Sequence, residues 1–160
     1  MIHTENKILT LERILSLRSK WRESEKVVFT NGCFDLLHLG HIDYLEKSRN
    51  LGTKLIVALN TDASVRGLKG SERPLVNEYA RARVIASLEF VDAVILFGEE
   101  TPLDLISLLK PDILVKGNDY SVENIVGADI VLANGGCVKT ISLVEGYSTT
   151  NLVNKIKQLM

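Results

Sequence analysis

The stretch KVVFTNGCFDLLHLGH, residues 26–41, joins an apolar run to a helix-like segment, and this junction decides the fold. Val27 to Thr30 is an apolar, β-rich run, which predicts a strand buried on both faces. His38 and His41 lie three positions apart at the predicted helix start, where free N–H groups and the helix dipole favour an anion. Because Gly40 between them permits close approach of the backbone, the stretch predicts a phosphate site.

Two other interpretations of this histidine pair stay open on the residues alone. His38 and His41 could belong to a metal site, but no third ligand is evident, since His3 lies in the terminal segment. They could also be part of the packed interior or of a helix cap. The three interpretations differ in what substitution of either histidine does to activity and to folding.

Outside this unit, apolar β-rich runs alternate with helix-like segments along the chain. This alternation predicts a Rossmann-like, doubly wound α/β fold with a mostly parallel five-stranded sheet and helices on both faces. A length of 160 residues fits one domain, 1–160, with a leading helix in 1–25 and a catalytic core in 26–160. The predicted strands are 27–30, 54–60, 92–97, 112–117 and 137–143, and the predicted helices lie at about 10–23, 42–51, 79–90, 102–110 and 148–160.

Segment 61–77 lacks apolar periodicity and is predicted to be a long polar loop after the second strand. Doubly wound sheets place ligand contacts on such loops, and Lys69 is a candidate cation within it. Asp62 at its start is either a ligand-facing carboxylate or a helix N-cap. Elsewhere, Gly52 is predicted as a helix C-cap and Thr101 as a helix N-cap.

A second phosphate site is predicted in GYSTTNL, residues 146–152, where three hydroxyls meet the start of the last helix. A helix cap needs one hydroxyl, whereas Ser148, Thr149 and Thr150 beside free backbone N–H groups suit an anion. A simple N-cap is the alternative.

Three further charged residues fall where a doubly wound sheet gathers its ligands. Lys116 and Asp119, in LVKGNDY, follow a predicted strand, although Gly-Asn-Asp is also ordinary turn chemistry. Arg81 lies near the start of its predicted helix, and its alternative is an exposed arginine paired with Glu78. Each of these signals is weak alone. Together they support a ligand site, because all three residues are expected at the same edge of the sheet.

Composition and missing motifs argue against several classes of protein. The formal net charge is −1, so the chain lacks the overall basic field of nucleic-acid binders. No apolar run approaches the roughly 20 residues that span a bilayer, and the start MIHTENK lacks the apolar core of a signal peptide. Two cysteines make neither a disulfide framework nor a zinc cluster, so we expect a reduced cytoplasmic setting. The first strand–helix turn lacks G-x-G-x-x-G, which argues against a dinucleotide-binding dehydrogenase, and the sequence lacks G-x-x-x-x-G-K-[ST], which argues against a P-loop protein.

Together, TNGCFDLLHLGH and GYSTTNL resemble the two signatures of the HxGH nucleotidyltransferase superfamily. Leu36 after Phe34-Asp35 is similar to its cytidylyltransferase-type branch. More narrowly, VFTNGCFDLLHLGH, LVKGNDY, ANGG and STTNL are similar to the D-glycero-β-D-manno-heptose 1-phosphate adenylyltransferases, over essentially the whole chain. One departure is Asn118, where that family is expected to have glycine.

The resemblance implies transfer of AMP from ATP, with Mg²⁺ on the triphosphate, to heptose 1-phosphate. The products would be pyrophosphate and ADP-heptose for lipopolysaccharide or other surface-glycan synthesis. The acceptor phosphate is itself the nucleophile, so the protein has to align the reacting groups and neutralise developing charge. The resemblance further implies a homodimer and a separate heptose kinase that makes the acceptor.

By the same resemblance, each candidate residue receives a role. The implied catalytic residues are His38, His41 and Lys69. The implied nucleotide-binding residues are Thr30, Asn31, Gly32, Cys33, Phe34, Gly40, Arg81, Lys116, Gly117, Asp119, Ser148, Thr149 and Thr150. Asp35 and Asp62 are implied to face the acceptor.

Two other functions stay open. One is a cytidylyltransferase acting on a small phosphorylated alcohol such as glycerol 3-phosphate. The other is a catalytically silent nucleotide-binding domain, against which the presence of both histidines and the hydroxyl cluster argues.

Overall fold

The computed structural model describes residues 3–117 and 124–159, in which strands and helices alternate. A short 3-10 helix, Thr4–Lys7, precedes the other elements. In chain order these are α1 (Leu11–Trp21), β1 (Val27–Gly32), α2 (Leu39–Arg49), β2 (Lys54–Asn60), α3 (Asp62–Lys69), α4 (Glu78–Ala86), β3 (Ala93–Phe97), α5 (Leu103–Leu109), β4 (Ile113–Gly117), α6 (Ala128–Ala133), β5 (Cys137–Ile141) and α7 (Thr149–Lys157).

The five strands form one parallel sheet in the order β3-β2-β1-β4-β5. The order reverses at β1, which pairs with β2 on one side and with β4 on the other. Ligands of doubly wound sheets bind at this switch point, outside the carboxyl ends of the strands. The predicted Rossmann-like sheet is confirmed, with every strand pair parallel.

Alternate residues of the strands face two separate apolar layers. Phe29 of β1 packs in a cluster with Ile14 of α1 and Ile106 of α5. Val28, one position earlier, belongs to the cluster on the opposite face, with Leu45 of α2. Helices therefore cover both faces of the sheet, as buried strand residues on both sides require. In the ranges that the structure describes, no helix combines the length and apolar character needed to cross a bilayer.

The leading helix α1 is part of this packed unit. Ile14 is fully buried, and Arg18 is almost so. The Arg18 guanidinium donates to the carbonyls of Leu109 (3.1 Å) and Lys110 (2.9 Å) at the end of α5, and to the Asp112 carboxylate (3.2 Å). A buried cation thus binds the otherwise unpaired carbonyls of a helix C-terminus.

The predicted loop 61–77 is wrong in its first half, because α3 occupies Asp62–Lys69. Thr61 caps this helix, its side chain accepting from the Ser64 N–H at 3.3 Å. Only Val65 of the helix is buried, so its apolar stripe is too short to signal a helix in the sequence.

Two smaller predictions about the helices also need correction. Helix α2 ends at Arg49 with Asn50 as its C-cap, so Gly52 is not a cap. A Cβ at Gly52 would lie 2.4 Å from the Lys26 carbonyl oxygen, so glycine is required there for close backbone approach. The N-cap of α5 is Pro102 rather than Thr101, and the short helix α6 was not predicted.

Candidate active site

A cavity of about 630 Å³ lies at the carboxyl ends of the strands. β1 pairs with β4 at Val28–Ile113 and Phe29–Leu114, so its last residues extend past this pairing and leave a crevice. The volume lies in the range of small-ligand sites. The candidate residues that line the cavity are Asn31, Gly32, Cys33, Phe34, Asp35, His38, Gly40, His41, Lys69, Lys116, Gly117, Ser148, Thr149 and Thr150.

The two histidines form a stacked pair at the start of α2. His38 is the N-cap residue, and the His41 N–H donates to its carbonyl at 2.9 Å. Their ring centroids are 3.7 Å apart with the planes inclined by 21°. Within the described residues, the buried Nδ1 atoms of both rings lack a hydrogen-bond partner. Buried polar atoms without partners are rare in folded proteins, so their position beside a cavity points to a ligand.

The space around this pair explains the residues that flank it. A Cβ at Gly40 would lie 3.1 Å from His38 Nδ1 and 3.4 Å from the Tyr147 Cβ, so a larger residue would crowd both. The Phe34 ring centroid lies 5.0 Å from that of His41. Phe34 has a φ of 44°, which is uncommon for a residue other than glycine and costs backbone energy.

The environment of the pair favours the neutral form of both imidazoles. Burial lowers the pKa of His38. Burial, together with the charges of His38 and Lys69, lowers the pKa of His41 to about 4, against an opposing backbone hydrogen bond at Leu36. Lys69, the last residue of α3, is therefore close enough for its positive charge to act on the ring. An anion between these groups would favour their protonated forms.

The N-terminus of α7 lines the same cavity, so two helix N-termini lie beside one space. Ser148 is the N-cap, and its hydroxyl accepts from the Asn151 N–H at 3.0 Å. Thr149 donates to the Leu36 carbonyl at 3.4 Å, which ties α7 to the turn before α2. The structure thus assigns a capping role to the first hydroxyl, while all three line the cavity.

The ends of β1, β2 and β4 supply the polar floor. Lys116 donates to the Asn31 side-chain oxygen, and the Cys33 thiol lies 3.8 Å from the Asn60 side-chain oxygen. Thr30 is fully buried and hydrogen-bonded to the Tyr44 hydroxyl at 2.7 Å, so it supports the floor without lining the cavity. The predicted residue Asp119 lies outside the described residues.

Asp35 lines the cavity, but its carboxylate is engaged by the protein. Its side chain is 1% exposed and accepts from Arg73 Nε at 2.6 Å. The N–H groups of Leu75 (2.9 Å) and Val76 (3.0 Å) also donate to it. Burial alone would raise the pKa of Asp35, but these hydrogen bonds and the Arg73 charge outweigh it and lower the pKa below 3.8.

The structure corrects the expected positions of Arg81 and Asp62, neither of which lines the cavity. Arg81 is 1% exposed, and its guanidinium donates to Asp62 at 2.8 Å. It also donates to the carbonyls of Cys33 (2.6 Å), Asn60 (2.8 Å) and Val76 (2.9 Å). These partners satisfy the buried charge, so Arg81 supports residues that line the cavity without lining it itself.

Several lining residues were not predicted from the sequence. Asn60 ends β2, so the rule that ligands gather at strand ends could have found it. Some of the others carry no chemical signal, because they are large hydrophobic side chains of loops and helix ends. They include Leu68, Val126, Leu143 and Tyr147, each between 37% and 54% exposed.

Comparison with known proteins agrees with this architecture. The family model described as cytidylyltransferase-like matches residues 29–154. The chain is 53% identical to a bifunctional protein HldE of Koribacter versatilis over 93% of its length, and 52% identical to that of Citrifermentans bemidjiense over 96%. It spans about a third of the length of these relatives, 31% and 32% respectively.

Solved structures give the same result. A lipopolysaccharide core biosynthesis protein from Thermoplasma volcanium is 31% identical, with a TM-score of 0.61 over 78% of this chain and 100% of that one. Pantoate-beta-alanine ligase from Francisella tularensis, 15% identical, shares the fold with a TM-score of 0.64 over 94% of this chain and 77% of its own. The chain belongs to the cytidylyltransferase-like family.

Proposed function

We propose that this chain transfers AMP from ATP to D-glycero-β-D-manno-heptose 1-phosphate, giving ADP-heptose and pyrophosphate. The observation that carries the proposal is the stacked pair of His38 and His41, whose Nδ1 atoms have no partner among the described residues, beside two helix N-termini and Lys69. This set of groups suits a polyphosphate, because every member either is positive or gains positive character near an anion.

In the proposed reaction, an oxygen of the acceptor phosphate attacks the α-phosphorus. The bond from this phosphorus to the bridging oxygen breaks, and the electron pair leaves with pyrophosphate. The acceptor oxygen is already anionic, so no side chain has to remove a proton. Catalysis then depends on alignment and on stabilising charge on the transferring and leaving groups.

The proposed roles follow from position. His38 and His41 donate to phosphate oxygens, and Lys69 neutralises charge from the end of α3. Thr149 and Thr150, with the free N–H groups of α7, bind the phosphates that leave as pyrophosphate. The turn from Asn31 to Phe34 and the end of β4 at Gly117 hold the nucleoside.

Mg²⁺ enters this proposal as part of the MgATP substrate. Within the described ranges, no three His, Cys, Asp or Glu side chains form a group that could hold a metal ion. Magnesium in nucleotide sites is commonly held by phosphate oxygens and water, so the proposal needs no cage of protein ligands. When bound, the ion would offset charge on the triphosphate.

Support for the heptose acceptor comes from the relatives. Those at 53% and 52% identity are named bifunctional protein HldE, and the Thermoplasma volcanium protein is named for lipopolysaccharide core biosynthesis. Their names agree with the acceptor that the sequence resemblance implies. Because the reaction consumes ATP, we place it in the cytoplasm. We also extend to this chain the homodimer expected from the resemblance. The acceptor would be supplied by a heptose kinase.

A second candidate is cytidylyl transfer to a small phosphorylated alcohol. The observation in its favour is the match to a family described as cytidylyltransferase-like over residues 29–154. Glycerol 3-phosphate is the acceptor to test, since it offers a phosphate nucleophile and fewer hydroxyls than a heptose.

The test is pyrophosphate release with ATP or CTP, each combined with heptose 1-phosphate or glycerol 3-phosphate. We expect turnover with ATP and heptose 1-phosphate and much slower turnover with the other pairs. His38→Ala or His41→Ala should lower it by about 10²–10³, the usual loss for one group that stabilises transition-state charge. His3→Ala is the control, since His3 is exposed near the N-terminus. Preference for CTP with glycerol 3-phosphate would replace the first proposal by the second, and no release with any pair would favour a silent nucleotide-binding domain.

A further inference from the structure

The segment between α3 and α4 is attached to the turn after β1 by one carboxylate. Asp35 Oδ2 accepts from Arg73 Nε at 2.6 Å and from the Leu75 N–H at 3.0 Å. Asp35 Oδ1 accepts from the N–H groups of Leu75 (2.9 Å) and Val76 (3.0 Å). Each oxygen therefore has two donors, all of them from residues 73–76.

Arg81 joins the same two segments by donating hydrogen bonds to a carbonyl in each of them. Its guanidinium reaches the Cys33 carbonyl at 2.6 Å and the Val76 carbonyl at 2.9 Å. The turn at 33–35 and the segment at 73–76 are thus held together by a buried anion that accepts and a buried cation that donates. Such charge-assisted hydrogen bonds are stronger than neutral ones.

Lys69 lies between two fixed points of the chain. Upstream, Val65 is fully buried, and the Asp62 N–H donates to Glu78 at 2.6 Å. Residues 66–72 are all exposed. The next fixed point downstream is the attachment to Asp35, which begins at Arg73. The position of Lys69 over the cavity therefore depends on this attachment as well as on the start of α3.

We propose that Asp35 is a positioning residue, whose carboxylate fixes residues 73–76 to the turn before His38 and so holds Lys69 over the cavity. This assignment replaces the expectation that Asp35 binds the acceptor. An acceptor hydroxyl would have to displace an existing donor from a carboxylate that is 1% exposed. The part that concerns Lys69 rests on the proposed function, whereas the attachment of the segment does not.

The first test requires no turnover. In Asp35→Asn, the amide NH₂ faces donors where the carboxylate oxygen accepted, so the segment should detach. We expect backbone hydrogen exchange at Leu75 and Val76 to become at least about tenfold faster, because local opening exposes their N–H groups. Unchanged exchange at both amides would overturn the proposal.

Asp92→Asn is a matched control at the other end of the sheet. Asp92 also accepts from a backbone N–H, that of Leu55 at 2.8 Å, and from an arginine, Arg49, at 3.0 Å. Its side chain is 21% exposed, and it does not line the cavity. This variant should leave exchange at Leu75 and Val76 unchanged, even if it lowers the melting temperature.

The second test measures the coupling between Asp35 and Lys69 in two quantities. These are kcat, from pyrophosphate release, and MgATP affinity, from calorimetry. We expect Lys69→Ala to lower kcat about 10²-fold in the native background and in Asp92→Asn, but only a few-fold in Asp35→Asn. An equal loss in all three backgrounds, in both kcat and affinity, would overturn the positioning role. A raised KM for the acceptor in Asp35→Asn, with the Lys69 effect intact, would restore the acceptor-binding role. If no nucleotide pair reacts, the exchange result and the affinity coupling still decide the proposal.

Discussion

At the scale of single residues, positive charges on His38, His41 and Lys69 would repel one another. The rings of the two histidines are stacked at 3.7 Å, and Lys69 lowers the pKa of His41 further. Without an anion, protonating either ring would place two positive charges side by side in a partly buried space. The free site therefore favours neutral imidazoles, whereas a bound polyphosphate would favour their protonated forms.

This arrangement predicts a loss of stability in acid that comes from His41. Its pKa is about 4 in the folded chain and near 6.5 when unfolded, so the unfolded chain binds more protons between these values. Stability should therefore fall as the pH is lowered through this window. The contribution of His41 is about 2 kcal/mol between about pH 7 and about pH 5. Urea unfolding of His41→Gln at both pH values should show a smaller loss than the native protein.

His3→Gln provides the comparison, because His3 is exposed near the N-terminus. It should keep the full pH dependence of the native chain. An equal pH dependence for His41→Gln and the native protein would show that His41 titrates normally in the folded state.

Residue chemistry was predictable where a motif defines it and unpredictable where the partner is distant in sequence. Histidines three positions apart at a helix start indicate an anion site, because the free backbone N–H groups beside them depend only on the local sequence. The partners of Arg81 are the carbonyls of Cys33 and Asn60, 48 and 21 positions away in the chain. Nothing in a single sequence distinguishes such a buried arginine from an exposed one.

At the scale of elements, the hydroxyls at the N-terminus of α7 differ in how they are used. Ser148 caps α7 through the Asn151 N–H. The Thr149 hydroxyl donates to the Leu36 carbonyl at 3.4 Å, a long hydrogen bond that it can exchange for a ligand at little cost. The sequence shows three hydroxyls at this helix start, but only the structure distinguishes the cap from the others.

We therefore expect Thr149→Val to weaken MgATP binding without destabilising the fold. Loss of one charge-assisted hydrogen bond to phosphate corresponds to about a tenfold lower affinity. Valine keeps the shape of threonine, so the melting temperature should stay close to that of the native protein. Calorimetric titration and thermal unfolding measure the two quantities.

Thr140→Val is the matched substitution, since Thr140 lies on the exposed part of β5 and does not line the cavity. It should leave MgATP affinity unchanged. A melting temperature that falls in Thr149→Val while affinity is retained would indicate a structural hydroxyl instead.

At the scale of the whole molecule, α1 is fastened to the end of the sheet opposite the cavity. Arg18 binds the C-terminal carbonyls of α5 and pairs with Asp112. Asp112 in turn accepts from the Val27 N–H at 2.8 Å, at the first residue of β1. The alternating pattern of the sequence predicted the parallel sheet and the leading helix, but strand order and this attachment depend on contacts that are 85 to 94 positions apart.

Removal of this cation should destabilise the whole chain. We expect Arg18→Met to lower the free energy of unfolding by about 2–4 kcal/mol, because two carbonyls and a partly buried carboxylate lose the guanidinium as a donor. Turnover per folded molecule should not change, since the cavity lies at the other end of the strands. Urea unfolding and active-site-normalised kinetics measure both effects.

Arg13→Met on the same helix is the control, since Arg13 is exposed. It should change the free energy of unfolding by less than about 0.5 kcal/mol. A similarly small change in Arg18→Met would mean that α1 is held by its apolar contacts alone.

The strand order also bears on how the chain reaches this structure. The strands β1, β2 and β3 are consecutive in sequence and adjacent in the sheet, so they can assemble through short crossovers. Pairing of β1 with β4 must instead close a loop of 85 positions, the separation of Asn31 and Lys116, at a larger entropic cost. We therefore expect the crevice between β1 and β4 to form late in folding, and the proposed nucleotide site to be complete only when the last third of the chain has joined the sheet.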